Sequence, residues 1–400
     1  MPSVLDGIDV GTQLPDEKNL ATIIAAWMGR PTGHFGVQGI QELAASVASA
    51  KGDVRNENQD RVAVARFVDS KVPTRSFLAC VLCDGMGGMV DGGRCAQIAI
   101  GSFLAHLAYS PSQISDERAR SAALRANDEV FEAHKGRGGT TLAAILFGSE
   151  AIARAVTVGD SRLYGISRAR TVQQISVDDT IAGELKRLNG DHDASGLEPF
   201  SNRLAQYVGM GEGIEPRTYS LELSQDSGFM LTSDGIQNIP ETTFTRLLSG
   251  TSSVHALASR LLQVSNWCGG EDNASVICVS ARAAAVTSSS IGSQFSGSVI
   301  EIWDGFSKLD AIVPELSQAK SESRSAWQQW ANKGNVPRSN DFQPMSNSPR
   351  TNRRSRPRKT KKSETKNSKI KSGRNFEKIG PPNQLEIQIV ETPSKPKTGT

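Results

Sequence analysis

The chain has 400 residues, enough for one large or two ordinary domains, and its 38% hydrophobic and 6% aromatic content predicts that part of it stays unpacked. The net charge of +3 conceals a segregation, because Arg338 to Lys378 carries 14 Lys/Arg against 3 Asp/Glu while the remainder carries 31 basic against 39 acidic residues. With no stretch near the roughly 20 apolar residues of a membrane span, and with Asp16 and Glu17 rather than a basic region ahead of the first apolar patch, the sequence predicts a cytoplasmic protein without a membrane segment.

Residues 1–40 read as an N-terminal extension. Within it Leu20, Ile23, Ile24 and Trp27 line one helical face, which Gly29-Arg30-Pro31 ends. From 41 to 283 the pattern is dense and globular. Strands are predicted at 62–67 and 77–83, then helices at 94–108 and 116–134, the second with Ala119, Ala123, Ala126 and Val130 along one face. Strands follow at 142–147 and 152–158 around Gly148-Ser149-Glu150, and then at 162–166, 172–175, 219–223 and 229–232. A helix at 254–264 leads to a last strand at 274–279. Strands arriving as neighbouring pairs, with helices grouped between them, favour antiparallel sheets covered by helices over βαβ repeats.

Beyond this domain, 284–298 is a Ser/Gly linker. Residues 299–334 regain apolar periodicity (Ile302, Phe306, Leu309, Val313, Leu316) and read as an amphipathic docking segment, broken at Pro314. Residues 335–400 form a basic tail with a disordered composition. Its one alternating stretch, 385–390, is a candidate for adding to a sheet edge. Cys80 and Cys83 have CxxC spacing, but no second pair or His pair follows, and they lie inside an apolar run; buried strand residues fit better than a zinc or redox site.

Several aspartates share one context. Asp84 ends the run 77–83 and precedes Gly85-Met86-Gly87-Gly88; Asp160 follows Gly159 after the strand at 152–158; Asp234 ends 229–233 and precedes Gly235; Asp272 precedes Asn273 and the strand at 274–279. Any one of them is ordinary turn chemistry. Carboxylates repeated at strand ends are costly unless paired, hydrogen-bonded or bound to cations. Hard oxygen-seeking ions such as Mg²⁺ or Mn²⁺ suit them, and zinc does not without a His–Cys cluster. The glycines at 85–93 match neither a P-loop nor a dinucleotide fingerprint; they let backbone approach closely, so that the Gly85 carbonyl can face a metal.

Six segments in order, Arg55-Asn-Glu-Asn-Gln-Asp60, Asp84-Gly-Met-Gly-Gly88, Gly138-Gly-Thr-Thr141, Gly159-Asp-Ser-Arg162, Thr232-Ser-Asp-Gly235 and Glu271-Asp-Asn273, resemble the successive motifs of the protein phosphatase 2C (PPM) family, particularly its bacterial members. The resemblance spans about 55–280. It implies an α+β fold, a four-layer α-β-β-α sandwich of two antiparallel sheets covered by helices, with two Mn²⁺ or Mg²⁺ ions at one edge. By the same resemblance Asp84 bridges the metals, Gly85 offers its carbonyl, Asp234 and Asp272 complete the other site, and Asp160 with Asp234 holds a third, weaker metal. Arg55 grips the substrate phosphate, and Asp60 hydrogen-bonds metal-bound water. The implied activity is hydrolysis of phosphoserine and phosphothreonine in proteins by hydroxide between the metals, without a phosphoenzyme, opposing a cognate Ser/Thr kinase.

Two positions depart from the family pattern. Gln59 stands where many relatives have Glu, which removes one negative charge beside the second metal and predicts weaker affinity there and a preference for Mn²⁺. Asp178-Asp-Thr180 stands where the family often has Asp-His-Ser/Thr, ahead of a flap region at about 180–214. No Cys-x5-Arg pattern is present, and none of the five His falls within a motif. The competing reading is a regulatory or weakly active phosphoprotein-binding member whose basic tail tethers it to an acidic partner or nucleic acid; the near-absence of tail aromatics argues against base stacking.

Overall fold

A computed structural model describes residues 17–189, 203–224, 228–251, 253–286 and 298–313. Two antiparallel sheets lie face to face. The six-stranded sheet has the order β1(Phe35–Ile40), β2(Ala45–Ala50), β11(Ala274–Ser280), β10(Gly228–Thr232), β7(Arg162–Ile166), β8(Val172–Gln174). The seven-stranded sheet runs β13(Lys308–Val313), β12(Ser298–Trp303), β3(Arg61–Asp69), β4(Phe77–Cys83), β5(Leu142–Phe147), β6(Ile152–Val158), β9(Arg217–Glu222).

Apolar side chains from both inner faces, among them Val64, Leu82, Ile145, Leu163, Leu231 and Ile277, fill the layer between the sheets. Helices α1(Glu17–Met28), α2(Gly92–Tyr109) and α3(Asp116–His134) cover the seven-stranded sheet. Helix α7(Val254–Trp267) packs Leu257, Ala258, Leu261 and Leu262 on the six-stranded sheet, beside Leu248 of α6(Glu241–Ser249). The result is the expected α-β-β-α sandwich. Local signals start the helices: the Ser115 hydroxyl accepts the Arg118 N–H at the head of α3, and Ser253 accepts the Ala256 N–H at the head of α7.

Both ends of the predicted domain move outward. Helix α1 buries Leu20, Ile24, Trp27 and Met28 in the same core as α2 and α3, so the extension packs on the domain, and β1 moves the domain's boundary outward by forming a sheet edge. The strand at 274–280 is not the last. Residues 298–313, read as the end of a linker and the start of an amphipathic segment, form a hairpin that pairs with β3. Helical spacing of Ile302, Phe306 and Leu309 is coincidental there, because Gly305 at φ +93° turns the chain between two strands. Glu301, a charge in the middle of β12, is buried with Arg66 (2.5 Å) from β3 and Lys308 (2.5 Å) from β13, partners that its own segment does not announce. Cys80 and Cys83 point to opposite faces of β4, one into the inter-sheet core and one toward the helices, so they share no site. The stretch 385–390 and the tail lie outside the described residues.

Helices α1 and α2 touch through Gly101, where an added Cβ would sit 2.4 Å from the Ala21 carbonyl oxygen. Gly101→Ala is therefore expected to cost about 1–3 kcal/mol by overpacking, read as a lowered urea midpoint at unchanged slope. An unchanged midpoint would show that α1 does not pack there.

Candidate metal centre

The antiparallel register delivers the motif residues to one edge of the sandwich. Asp84 leaves β4 held by β5's lead-in: its N–H donates to the Thr141 hydroxyl (2.9 Å), and its carbonyl accepts from the Thr141 N–H (2.8 Å) and the Thr140 hydroxyl (2.7 Å). The glycines beside it serve close approach. A Cβ on Gly85 would fall 2.5 Å from the Gly92 carbonyl, where the loop lies against the start of α2. A Cβ on Gly235 would fall 2.0 Å from the Asn273 carbonyl oxygen, which seats Asp234, at the head of α5(Asp234–Gln237), against the loop carrying Asp272. Asp160 follows β6, and its carbonyl accepts from the Gln237 amide (3.2 Å).

Asp60 forms the floor. Its carboxyl is 3% exposed; one oxygen accepts from the Ser233 hydroxyl (2.8 Å), and the other, Oδ1, has no hydrogen-bond partner. Burial pushes Asp60 up to about 7, the Ser275 and Ser233 hydroxyls oppose the rise, and Asp234 and Asp272 add to it. Asp84 is raised well above the usual carboxylate range, first by burial and then by the charges of Asp60, Asp234, Asp160 and Asp272. Desolvation and then the charge of Asp272 raise Asp234. Burial and then Asp234 and Asp178 raise Asp160 to about 6.

One cation of the chain already answers this field. Arg55 donates from Nη2 to Asp272 Oδ2 (2.7 Å), and that bond, with the charges of Asp234 and Asp84, holds its guanidinium above the usual range. Its other tip and Gln59 Oε1 border Gly87. The Gln59 N–H donates to Asn273 Oδ1 (2.8 Å) and its side-chain amide donates to Glu57 Oε1 (2.5 Å), which leaves the amide oxygen free to serve as a neutral donor.

Among the described residues no three His, Cys, Asp or Glu side chains form a ready-made metal cage. A buried carboxylate oxygen with no partner, among carboxyls that raise one another, forms a donor set that suits a divalent cation and not an apolar ligand. The geometry thus gathers Asp60, Asp84, Asp160, Asp234, Asp272 and Arg55 into one mutual field, with Gly85 and Gln59 at its border.

Residue-by-residue reading overlooked the supports. Thr141, Ser233 and Asn273 orient Asp84, Asp60 and Gln59 respectively, and each stands beside a chosen residue or within a quoted motif. Asp179 is less visible. It is fully buried and accepts from the Gly159 N–H (3.0 Å), the Gln206 amide (2.7 Å) and Arg217 (2.6 Å), tying the turn before Asp160 to the 203–217 segment. Of the expected flap, α4(Ile181–Asn189) and 203–214 are described, and Val208 pairs with Thr140 next to Asp84's loop; 190–202 lie outside the described residues.

The structure is thus a helix-covered double sheet with crowded carboxyls at one edge and Arg55 paired to one of them. A family model described as protein phosphatase 2C matches residues 53–294. The serine/threonine phosphatase stp of Listeria welshimeri is 26% identical over 252 residues, covering 59% of this chain and 95% of that protein. The serine/threonine protein phosphatase PstP of Mycobacterium tuberculosis is 29% identical over 244 residues, covering 59% of this chain and 44% of that protein. The crystal structure of serine/threonine phosphatase Stp1 from Staphylococcus aureus shares the fold, with a TM-score of 0.52 at 21% identity over 63% of this chain and 99% of that one. The chain belongs to the protein phosphatase 2C family.

The raised carboxyls make a pH prediction. Between about pH 4 and pH 7 the folded protein holds protons on Asp60 and its neighbours that the unfolded chain has released, so without metal its stability falls as pH rises through that window. The melting midpoint in EDTA is expected to drop by about 5 °C or more from pH 5 to pH 8, and Asp60→Asn to flatten the drop. A flat profile for the unmodified protein would contradict the crowding.

Proposed function

We propose that the protein hydrolyses phosphoserine and phosphothreonine in phosphoproteins, with two Mn²⁺ or Mg²⁺ ions held by Asp84, the Gly85 carbonyl, Asp234 and Asp272, and a third, weaker ion at Asp160 and Asp234. The observation that carries this reading is the unpartnered, buried Asp60 oxygen among carboxyls that burial and mutual repulsion push up. When bound, the cations lower the pKa of water between them and offset the charge of the phosphate oxygens.

The residues' parts follow from where they stand. Asp60, braced by Ser233, presents Oδ1 to accept a hydrogen bond from the attacking water and so orients its lone pair toward phosphorus. Arg55 exchanges Asp272 for the substrate phosphate, which its planar fork grips at two oxygens. The water oxygen bonds phosphorus in line with the seryl or threonyl oxygen, that P–O bond breaks, and inorganic phosphate and the free hydroxyl leave. Neither Cys83 nor Cys95 suits a thiol phosphoenzyme: burial raises Cys83 well above its usual value and Cys95 to about 11. Gln59 supplies a neutral oxygen, which supports weaker binding of the second metal and a preference for Mn²⁺. The implied partners are phosphoproteins and the Ser/Thr kinase that modifies them. The basic tail remains a proposed tether for an acidic partner or nucleic acid, accompanying catalysis rather than replacing it.

The test is phosphopeptide hydrolysis with and without Mn²⁺. Turnover is expected to need the metal and to fall by about 100-fold or more in Asp234→Asn. Metal-independent hydrolysis, or activity that survives Asp234→Asn, rules the site out.

A further inference from the structure

Trp267, the last residue of α7, is 92% exposed, an extreme value for the largest apolar side chain and one that no contact within the described residues offsets. A single exposed apolar residue needs no explanation, but this one has company. Val54 is 65% exposed, and Cys268 is also exposed. The two segments are clasped together: the Asp53 N–H donates to the Gly270 carbonyl (2.8 Å), the Val54 N–H reaches the same oxygen (3.3 Å), and the Asn266 amide donates to Asp53 (3.4 Å). The clasp thus brings together into one rim the two segments that carry these exposed residues: Val54 is part of the clasp, and Trp267 follows Asn266 directly.

That rim is continuous with the phosphate site. Arg55 follows Val54 directly and pairs with Asp272, and a recess of about 240 Å³ has Cys268, Glu271 and Asp272 among its walls. A substrate whose phosphate lies at Arg55 has its neighbouring residues within reach of this edge. Backbone bonds on both sides hold the two apolar residues in place, so little ordering cost opposes contact. An exposed tryptophan beside a polar recess is the composition of a binding anchor.

Resting on the phosphatase reading above, we infer that the Val54–Trp267 rim is a specificity surface that takes a bulky apolar side chain flanking the phosphorylated residue of a protein substrate. It favours phosphosegments with Leu, Ile or Phe beside the phosphoserine or phosphothreonine over those with Ala there.

The experiment compares kcat/KM of the full chain, with Mn²⁺, on paired phosphopeptides that differ only in Leu or Ala on each side of the phosphoresidue. Wild type is expected to prefer one Leu peptide by about tenfold, roughly the effect of one buried apolar contact. Trp267→Ala is expected to bring that ratio close to one, chiefly through KM, with Val54→Ser lowering it part way and Trp267→Phe restoring most of it. p-Nitrophenyl phosphate hydrolysis by wild type separates the two readings. If wild type cleaves it but shows no flank preference, or if the preference survives Trp267→Ala, the rim inference fails and the phosphatase reading stands. If wild type cleaves neither substrate class, both fail. Sedimentation of wild type and Trp267→Ala is the remaining arm: a dimer that dissociates in the variant would assign the rim to self-association and overturn the inference.

Discussion

Five aspartates, Asp60, Asp84, Asp160, Asp234 and Asp272, arrive from separate strands at one edge of the sandwich, and their repulsion is the constraint around which that edge is organised. A carboxylate as buried as Asp60 sheds its charge or finds a partner. Here the relief available within the chain is partial: Arg55 answers Asp272, and Ser233 answers one oxygen of Asp60. What the arrangement lacks is concentrated positive charge in a space lined with oxygen, the condition that a hard divalent ion meets. The strain of the cluster and its affinity for cations are one property.

The rest of the fold keeps those groups from moving apart. Asp84 is fixed by three bonds to Thr140 and Thr141, residues leading into the strand beside its own. Asp234 is held against Asn273 by a contact that only glycine allows at 235. Strands β3, β4, β5 and β6 are adjacent in the seven-stranded sheet, while β10 and β11 are adjacent in the other, so ordinary antiparallel pairing places sequence-distant turns side by side. Helix α1 and the β12–β13 hairpin lie outside or at the border of the family match at 53–294, yet both join the large core. Arg30, just past α1, donates to Asp304 in the hairpin turn (2.7 Å), linking the two additions to each other rather than to the site.

Elements whose pattern is local were legible in the sequence. The buried run Phe77 to Cys83, the alanine stripe of α3 and the aspartates at strand ends each carry their own signal, and six motifs in order name the family. What stayed hidden depends on partners far along the chain. The strand 45–50 is all small residues, ASVASA, and becomes a central strand only because β11 and β1 flank it. The hairpin 298–313 carries Ile302, Phe306 and Leu309 at helical spacing, and the partners that let Glu301 sit inside a strand, Arg66 and Lys308, include one from far along the chain. Asp179 looked like a family departure, and its bonds to Gly159, Gln206 and Arg217 show a buried tie between the turn at Asp160 and the segment after 203. Arg55 was read as facing substrate phosphate, and its pairing with Asp272 could not be deduced from either motif alone.

The most direct test of the central claim, that crowded carboxyls hold protons until cations replace them, is proton release on metal binding. Titrating the unmodified protein with Mn²⁺ at pH 6 in buffers of different ionisation enthalpy gives the number of protons expelled. With Asp60 pushed up to about 7 and Asp84 also raised, the account predicts roughly one or more protons released per protein, fewer at pH 8 and fewer in Asp60→Asn. Mn²⁺ binding without proton release at pH 6 would mean the carboxyls are already ionised, and would contradict it.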